Sequence, residues 1–124
     1  MYSKEILERF KNPENVGGLR GANGTGKAGD LECGEIVKIY LLVEDGIVKT
    51  AKFKTYGGVI AIAGSDVACD LLIDGTLEDA LAISASDINE KLEDVPEGKL
   101  FVAEIIEEAI KNAVEDYYKK QDKE

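Results

Sequence analysis

Apolar positions change their spacing along the chain, and each change predicts an element. Ser3 is placed to cap a short helix in which Ile6, Leu7 and Phe10 share one face, and Asn12-Pro13 ends it. From Gly17 to Gly29 there are six glycines among 13 residues and almost nothing apolar. That segment lacks side chains for a core and is expected to be a flexible loop. Glu35 to Val43 is dense in Ile, Val, Leu and Tyr, and Asp45-Gly46 separates it from Ile47 to Tyr56, where Ala51 and Phe53 alternate with Thr50, Lys52 and Lys54. The two runs read as an antiparallel hairpin.

Gly57-Gly58 ends the hairpin, and Val59 to Ile73 takes helical spacing before Asp74-Gly75. Thr76 with Asp79 has the form of a capping box, and Ser86 is placed to cap a further helix through Leu92. After a loop marked by Pro96 and Gly98, apolar residues from Leu100 to Tyr117 recur with the strongest helical periodicity in the chain. Strands followed by helices only predict an α+β domain spanning residues 1–124. Its helices, including an N-terminal helix and a long C-terminal one, pack on one face of a small antiparallel sheet.

Charge and composition narrow the chemistry. The net charge of −10 disfavours nucleic-acid backbones and anionic membrane surfaces as partners. Histidine is absent, which removes Ser-His-Asp and Cys-His catalysis and every imidazole metal ligand. No enzymatic centre is expected. Cys33 and Cys69 form neither a disulfide framework nor a paired CxxC zinc pattern, and no signal peptide or membrane-length apolar run is visible, so a reducing, cytoplasmic location is expected.

Three segments have candidate chemistry. Gly21 to Lys27 matches a P-loop up to its lysine, but Ala28 stands where a magnesium-binding hydroxyl belongs and the segment does not join a strand to a helix. Cys33 lies in Asp30-Leu31-Glu32-Cys33-Gly34-Glu35, where carboxylates oppose thiolate formation but Glu35 offers an oxygen beside the sulfur. One thiol and one carboxylate fall short of a closed four-ligand site, and an ordinary semi-buried cysteine is the competing reading. Cys69 sits in an apolar helical run and reads as a small core residue.

Several motifs together carry a family likeness: Tyr2-Ser3, Asn12-Pro13-Glu14-Asn15-Val16-Gly17, Cys33-Gly34-Glu35, Ala51-Lys52-Phe53-Lys54-Thr55-Tyr56-Gly57, Ala61-Ile62-Ala63 and Ala109-Ile110-Lys111-Asn112-Ala113. With them the chain resembles the NifU N-terminal, or IscU, family of iron-sulfur cluster scaffolds over nearly its whole length. The resemblance implies an α+β fold and a site for a 2Fe-2S cluster held by three cysteines with a nearby aspartate. It also implies sulfur supply by a cysteine desulfurase. Carried over by position, the first ligand is Cys33 and the aspartate becomes Glu35. Gly58 replaces the second cysteine, and Phe101 and Val102 replace a His-Cys pair. Pro96 and Lys99 remain from a chaperone-recognition segment.

Two functions follow from the likeness. One is a divergent scaffold that handles iron or a labile 2Fe-2S cluster shared between the Cys33 and Glu35 of two chains, as in a homodimer. The other is a pseudo-scaffold that binds or regulates a cysteine desulfurase or other assembly proteins with no metal at all.

Overall fold

The computed structural model describes residues 2–122. Helix α1 (Lys4–Lys11) precedes strands β1 (Gly24–Asp30), β2 (Glu35–Glu44) and β3 (Ile47–Tyr56), which are followed by α2 (Val59–Leu72), α3 (Leu77–Ala82), α4 (Ala85–Leu92), one turn of 3-10 helix at Glu97–Lys99 and α5 (Phe101–Asp122). The expected α+β architecture is observed. The three strands are antiparallel in the order β1-β2-β3.

Local chemistry explains the boundaries. Ser3 accepts from the Ile6 amide at the start of α1. Of the apolar face expected there only Ile6 is buried, while Leu7 and Phe10 are 38% and 40% exposed. Asp45 and Gly46 both take positive φ, 53° and 75°, the geometry that closes a two-residue hairpin without splaying its strands. Thr76 and Asp79 form a reciprocal capping box at α3. The equivalent box at α4 uses Ser84 with Asp87, so the helix begins two residues earlier than a Ser86 cap predicts.

The main departure lies in the glycine-rich segment, where residues expected to form a loop include strand β1. Its inward positions, Gly24, Gly26 and Ala28, are all buried. A Cβ on Gly26 would overlap the Ala113 nitrogen and the Ala109 oxygen, and one on Gly24 would come within 2.8 Å of the Ala113 oxygen. Glycine therefore lets α5 lie against strand backbone. The outer edge of β1 is also covered, since the Thr25 amide donates to Asp116 and the Asn112 amide group donates to the Lys27 carbonyl. At the opposite edge, the Gly17 amide donates to the Phe53 carbonyl and the Phe53 amide to Asn15. Both edges are thus protected from pairing with another chain.

The core lies between the helices and the sheet, centred on Val37, Ile39, Leu41, Phe53, Ile106 and Ile110, all fully buried. Two acidic residues of α5 make structural bonds. Glu107 accepts from the Ala85 amide that begins α4, and Asp116 accepts from Thr25. Among the described residues, no helix is long and apolar enough to cross a membrane.

Candidate functional site

Cys33 occupies the turn joining β1 to β2, and Gly34 at φ 78° allows the chain to reverse there. The Cys33 amide donates to Asp30 Oδ1 at 2.8 Å, and its Sγ lies 3.4 Å from the carbonyl oxygens of Asp30 and Glu35. The thiol is exposed. Leu31 in the same turn is 73% exposed, so the turn as well as the thiol faces solvent.

Glu35 begins β2 on the side facing the helices and is only 3% exposed. Its carboxylate reaches the turn between β3 and α2, where the Gly58 amide donates to its two oxygens at 3.3 and 3.2 Å. This one N–H is its only hydrogen-bond donor among the described residues, although two carboxylate oxygens have about four acceptor sites. A buried carboxylate so sparsely satisfied is unusual for a purely structural residue. Two glycines create the space it uses. A Cβ on Gly57 would overlap Glu35 Oε2, whereas one on Gly58 would meet only Glu35 Oε1, at 3.8 Å. Position 58 is therefore open ground beside the carboxylate.

The structure thus joins the Glu35 carboxylate to Gly58, while Cys33 meets Glu35 at its backbone carbonyl and not at its carboxylate. Phe101, at the start of α5, is 37% exposed, and Val102 is fully buried. Ile105 lies one turn on from Phe101, and its Cγ2 is 3.2 Å from a Cβ placed on Gly29, so this face of α5 runs over the end of the sheet. Neither Phe101 nor Val102 adds a donor atom. Among the described residues, no group of three or more His, Cys, Asp or Glu side chains is arranged to hold a metal ion. Pro96 and Lys99 belong to the 3-10 turn before α5, where Lys99 is exposed.

A second polar cluster, not apparent from sequence, joins α1 to α2. Asp66, 2% exposed, accepts from Arg9 Nη1 at 2.9 Å, the Asn15 amide at 2.9 Å and Asn15 Nδ2 at 3.1 Å. Arg9 also pairs with Glu5 and Asp70. Burial works against the Arg9 charge, but Asp70 and Glu5 outweigh it and push its pKa above the ordinary arginine value. Cys69 is buried nearby, and burial, reinforced by Asp66 and Asp70, pushes its thiol pKa well up. The sequence signal for this cluster is a pair of aspartates four apart, Asp66 and Asp70, inside a largely apolar helical run.

The family described as NifU-like N terminal domain matches residues 1–124. The chain is 41% identical to the iron-sulfur cluster assembly scaffold protein IscU of Haemophilus influenzae, covering 97% of this chain and 98% of that protein. It is 35% identical to the scaffold protein IscU 1 of Archaeoglobus fulgidus, covering 99% of this chain and 80% of that protein. A crystal structure of a NifU-like N-terminal protein from Brucella abortus superimposes with a TM-score of 0.75 at 20% identity, covering 95% of this chain and 94% of that one.

Proposed function

This chain belongs to the NifU-like N-terminal domain family, and from that premise we propose that it is a non-enzymatic iron-sulfur cluster assembly protein whose site is completed only by a second copy. The observation that carries the reading is the buried Glu35 carboxylate, held by one amide and two residues along the chain from the exposed thiol of Cys33. Cargo is iron or a 2Fe-2S cluster. Each iron of such a cluster takes two terminal protein ligands besides its bridging sulfides, so the cluster needs four in all. One chain offers two, Cys33 and Glu35. Two chains offer four.

In this reading the Cys33 thiol loses its proton on binding iron, and Glu35 supplies a hard oxygen ligand that weakens the grip relative to an all-thiolate site. A weaker grip suits release to an acceptor. The exposed turn at Leu31 to Gly34 gives a sulfur-donating cysteine desulfurase access to the thiol, and Pro96 with Lys99 provides a separate partner contact. A cytoplasmic, reducing location keeps Cys33 available. The competing pseudo-scaffold reading is favoured by one observation, the donor-free pair Phe101 and fully buried Val102 where a third ligand would stand.

Anaerobic reconstitution with ferrous iron and sulfide, followed by visible absorption and gel filtration, separates the two. A chromophore that elutes with dimer and is lost in both Cys33→Ser and Glu35→Gln supports the shared site. Absence of a chromophore under conditions that load an intact scaffold supports the pseudo-scaffold.

A further inference from the structure

Strand alternation sends Val37, Ile39, Leu41, Ala51 and Phe53 toward the helices, so the residues between them occupy the opposite, open face of the sheet. That face is unusual in its charge. Lys27 stands directly opposite Lys38, and Lys38 directly opposite Lys54, so one row across all three strands is entirely lysine. In the next row Tyr40 is paired with Lys52. Like charges placed directly across a sheet repel and destabilise it.

Four lysines on helices show the contrast, each matched to a carboxylate one turn away: Lys4 with Glu8, Lys111 with Glu107, Lys119 with Glu115 and Lys120 with Asp116. Among the described residues, no carboxylate forms an ion pair with Lys27, Lys38, Lys52 or Lys54. Only Lys38 has a cation partner, the ring of Tyr40, 5.2 Å from its Nζ. A chain with net charge −10 thus gathers four cations on one face and leaves them unneutralised.

We propose that the open face of the sheet is a docking surface for an acidic patch on a partner protein. Two features select a protein over a nucleic acid or a membrane. Three strands set about 4.8 Å apart make the lysine row only about 10 Å wide, a match for a few clustered carboxylates. A longer polyanion would run off it onto an acidic surface that repels it. Tyr40 in the lysine field and Tyr56, 63% exposed on the adjacent row, add the aromatic contact area that protein interfaces favour. The inference is independent of any metal at Cys33, because none of these lysines is a ligand.

The test uses a short Glu-rich peptide as the probe, with a single-stranded oligonucleotide and anionic phospholipid vesicles alongside it. Amide chemical-shift mapping on the full chain is expected to place the peptide on residues 25–27, 36–42 and 50–56. Lys38→Gln and the double variant Lys27→Gln/Lys54→Gln are expected to weaken it about tenfold or more, with a shallower salt dependence. The same variants are expected to melt at the parent temperature or above, because removing opposed like charges relieves repulsion. Loss of binding without loss of stability separates a docking role from a structural one. Peptide shifts that map elsewhere, no measurable peptide binding, an affinity unchanged in both variants, or tighter binding of the oligonucleotide or the vesicles would overturn the proposal.

Discussion

Asp66 and Glu35 are both buried carboxylates with a cysteine close in sequence, and the fold treats them in opposite ways. Asp66 is closed in by Arg9 and by two donors of Asn15, with buried Cys69 one turn along the same helix. Among the described residues Glu35 has the Gly58 amide alone, and its neighbour Cys33 is exposed. A buried charge is tolerated when it is paired and its acceptor sites are filled. The first cluster meets that condition and ties α1 and the Asn15 loop to α2. The second does not, and that spare acceptor capacity is the feature on which the proposed site rests.

The cysteines provide the sharpest way to break this contrast. Alkylation proceeds through thiolate, and Cys69 is both buried and held in its protonated form. Iodoacetamide is therefore expected to label Cys33 more than ~1000-fold faster than Cys69 in the native protein, the slower reaction waiting on local unfolding. Mass spectrometry of time points reads the ratio. Comparable rates would mean that the α2 flank opens readily and is not the closed region described here.

Stability should divide the two carboxylates next. Arg9→Met leaves Asp66 buried without its cation, and removing one partner of a buried pair costs about 3 kcal/mol, at the low end of the usual range because Arg9 keeps some solvent contact. Glu35→Gln retains an acceptor for the Gly58 amide and removes a charge with no cation near it, so its cost should stay below about 1 kcal/mol. Urea unfolding measures both. If Glu35→Gln proves as costly as Arg9→Met, Glu35 is a structural residue and the contrast fails.

Much of the fold was legible because its signals are local. The Asp45-Gly46 turn, the box of Thr76 with Asp79, and the apolar period of α5 each lie within a few residues and obey rules of backbone geometry. Strand β1 was not, because a strand is read from large side chains alternating with polar ones. Here the inner side of the alternation is Gly24, Gly26 and Ala28, made small by the close approach of α5 at Ala109 and Ala113. The matching signal was small residues two apart on one segment and four apart on another. At the site, family likeness brought Cys33, Glu35 and Gly58 together, whereas the 23-residue span from Glu35 to Gly58 carries no local pattern. The link from Arg9 to Asp66 spans 57 residues and had none either.

Adding a ligand sharpens the comparison from the other side. A side chain at position 58 starts 3.8 Å from Glu35 Oε1 and meets no other atom nearby, so Gly58→Cys should place a second thiol beside the carboxylate without rebuilding the turn. Affinity for zinc is expected to rise about 100-fold, equivalent to about 2.7 kcal/mol, and Cys33→Ser in that background should remove most of the gain. Competition with a chromophoric chelator gives the constants. An unchanged affinity would show that Cys33 and position 58 do not converge on one ion.

The smallest effect concerns carboxylates that belong to neither cluster. The side-chain bond from Lys111, with the Ala85 amide, holds Glu107 below the usual carboxylate range. Burial alone would raise the pKa of Asp116, but the Thr25 amide and Lys120 outweigh it and hold that group low as well. A carboxyl whose folded pKa is depressed adds stability that is complete above its unfolded pKa and is lost as the pH falls through the folded value. The two anchors of α5, one to α4 and one to the edge of β1, should therefore loosen only in acid, from about pH 5 downward. Both groups keep solvent contact, so each contributes about 0.5 kcal/mol or less. Urea midpoints for the parent and the double variant Glu107→Gln/Asp116→Asn should differ at about pH 7 and converge at about pH 3. A gap that persists in acid would mean that shape, rather than charge, is what these side chains contribute.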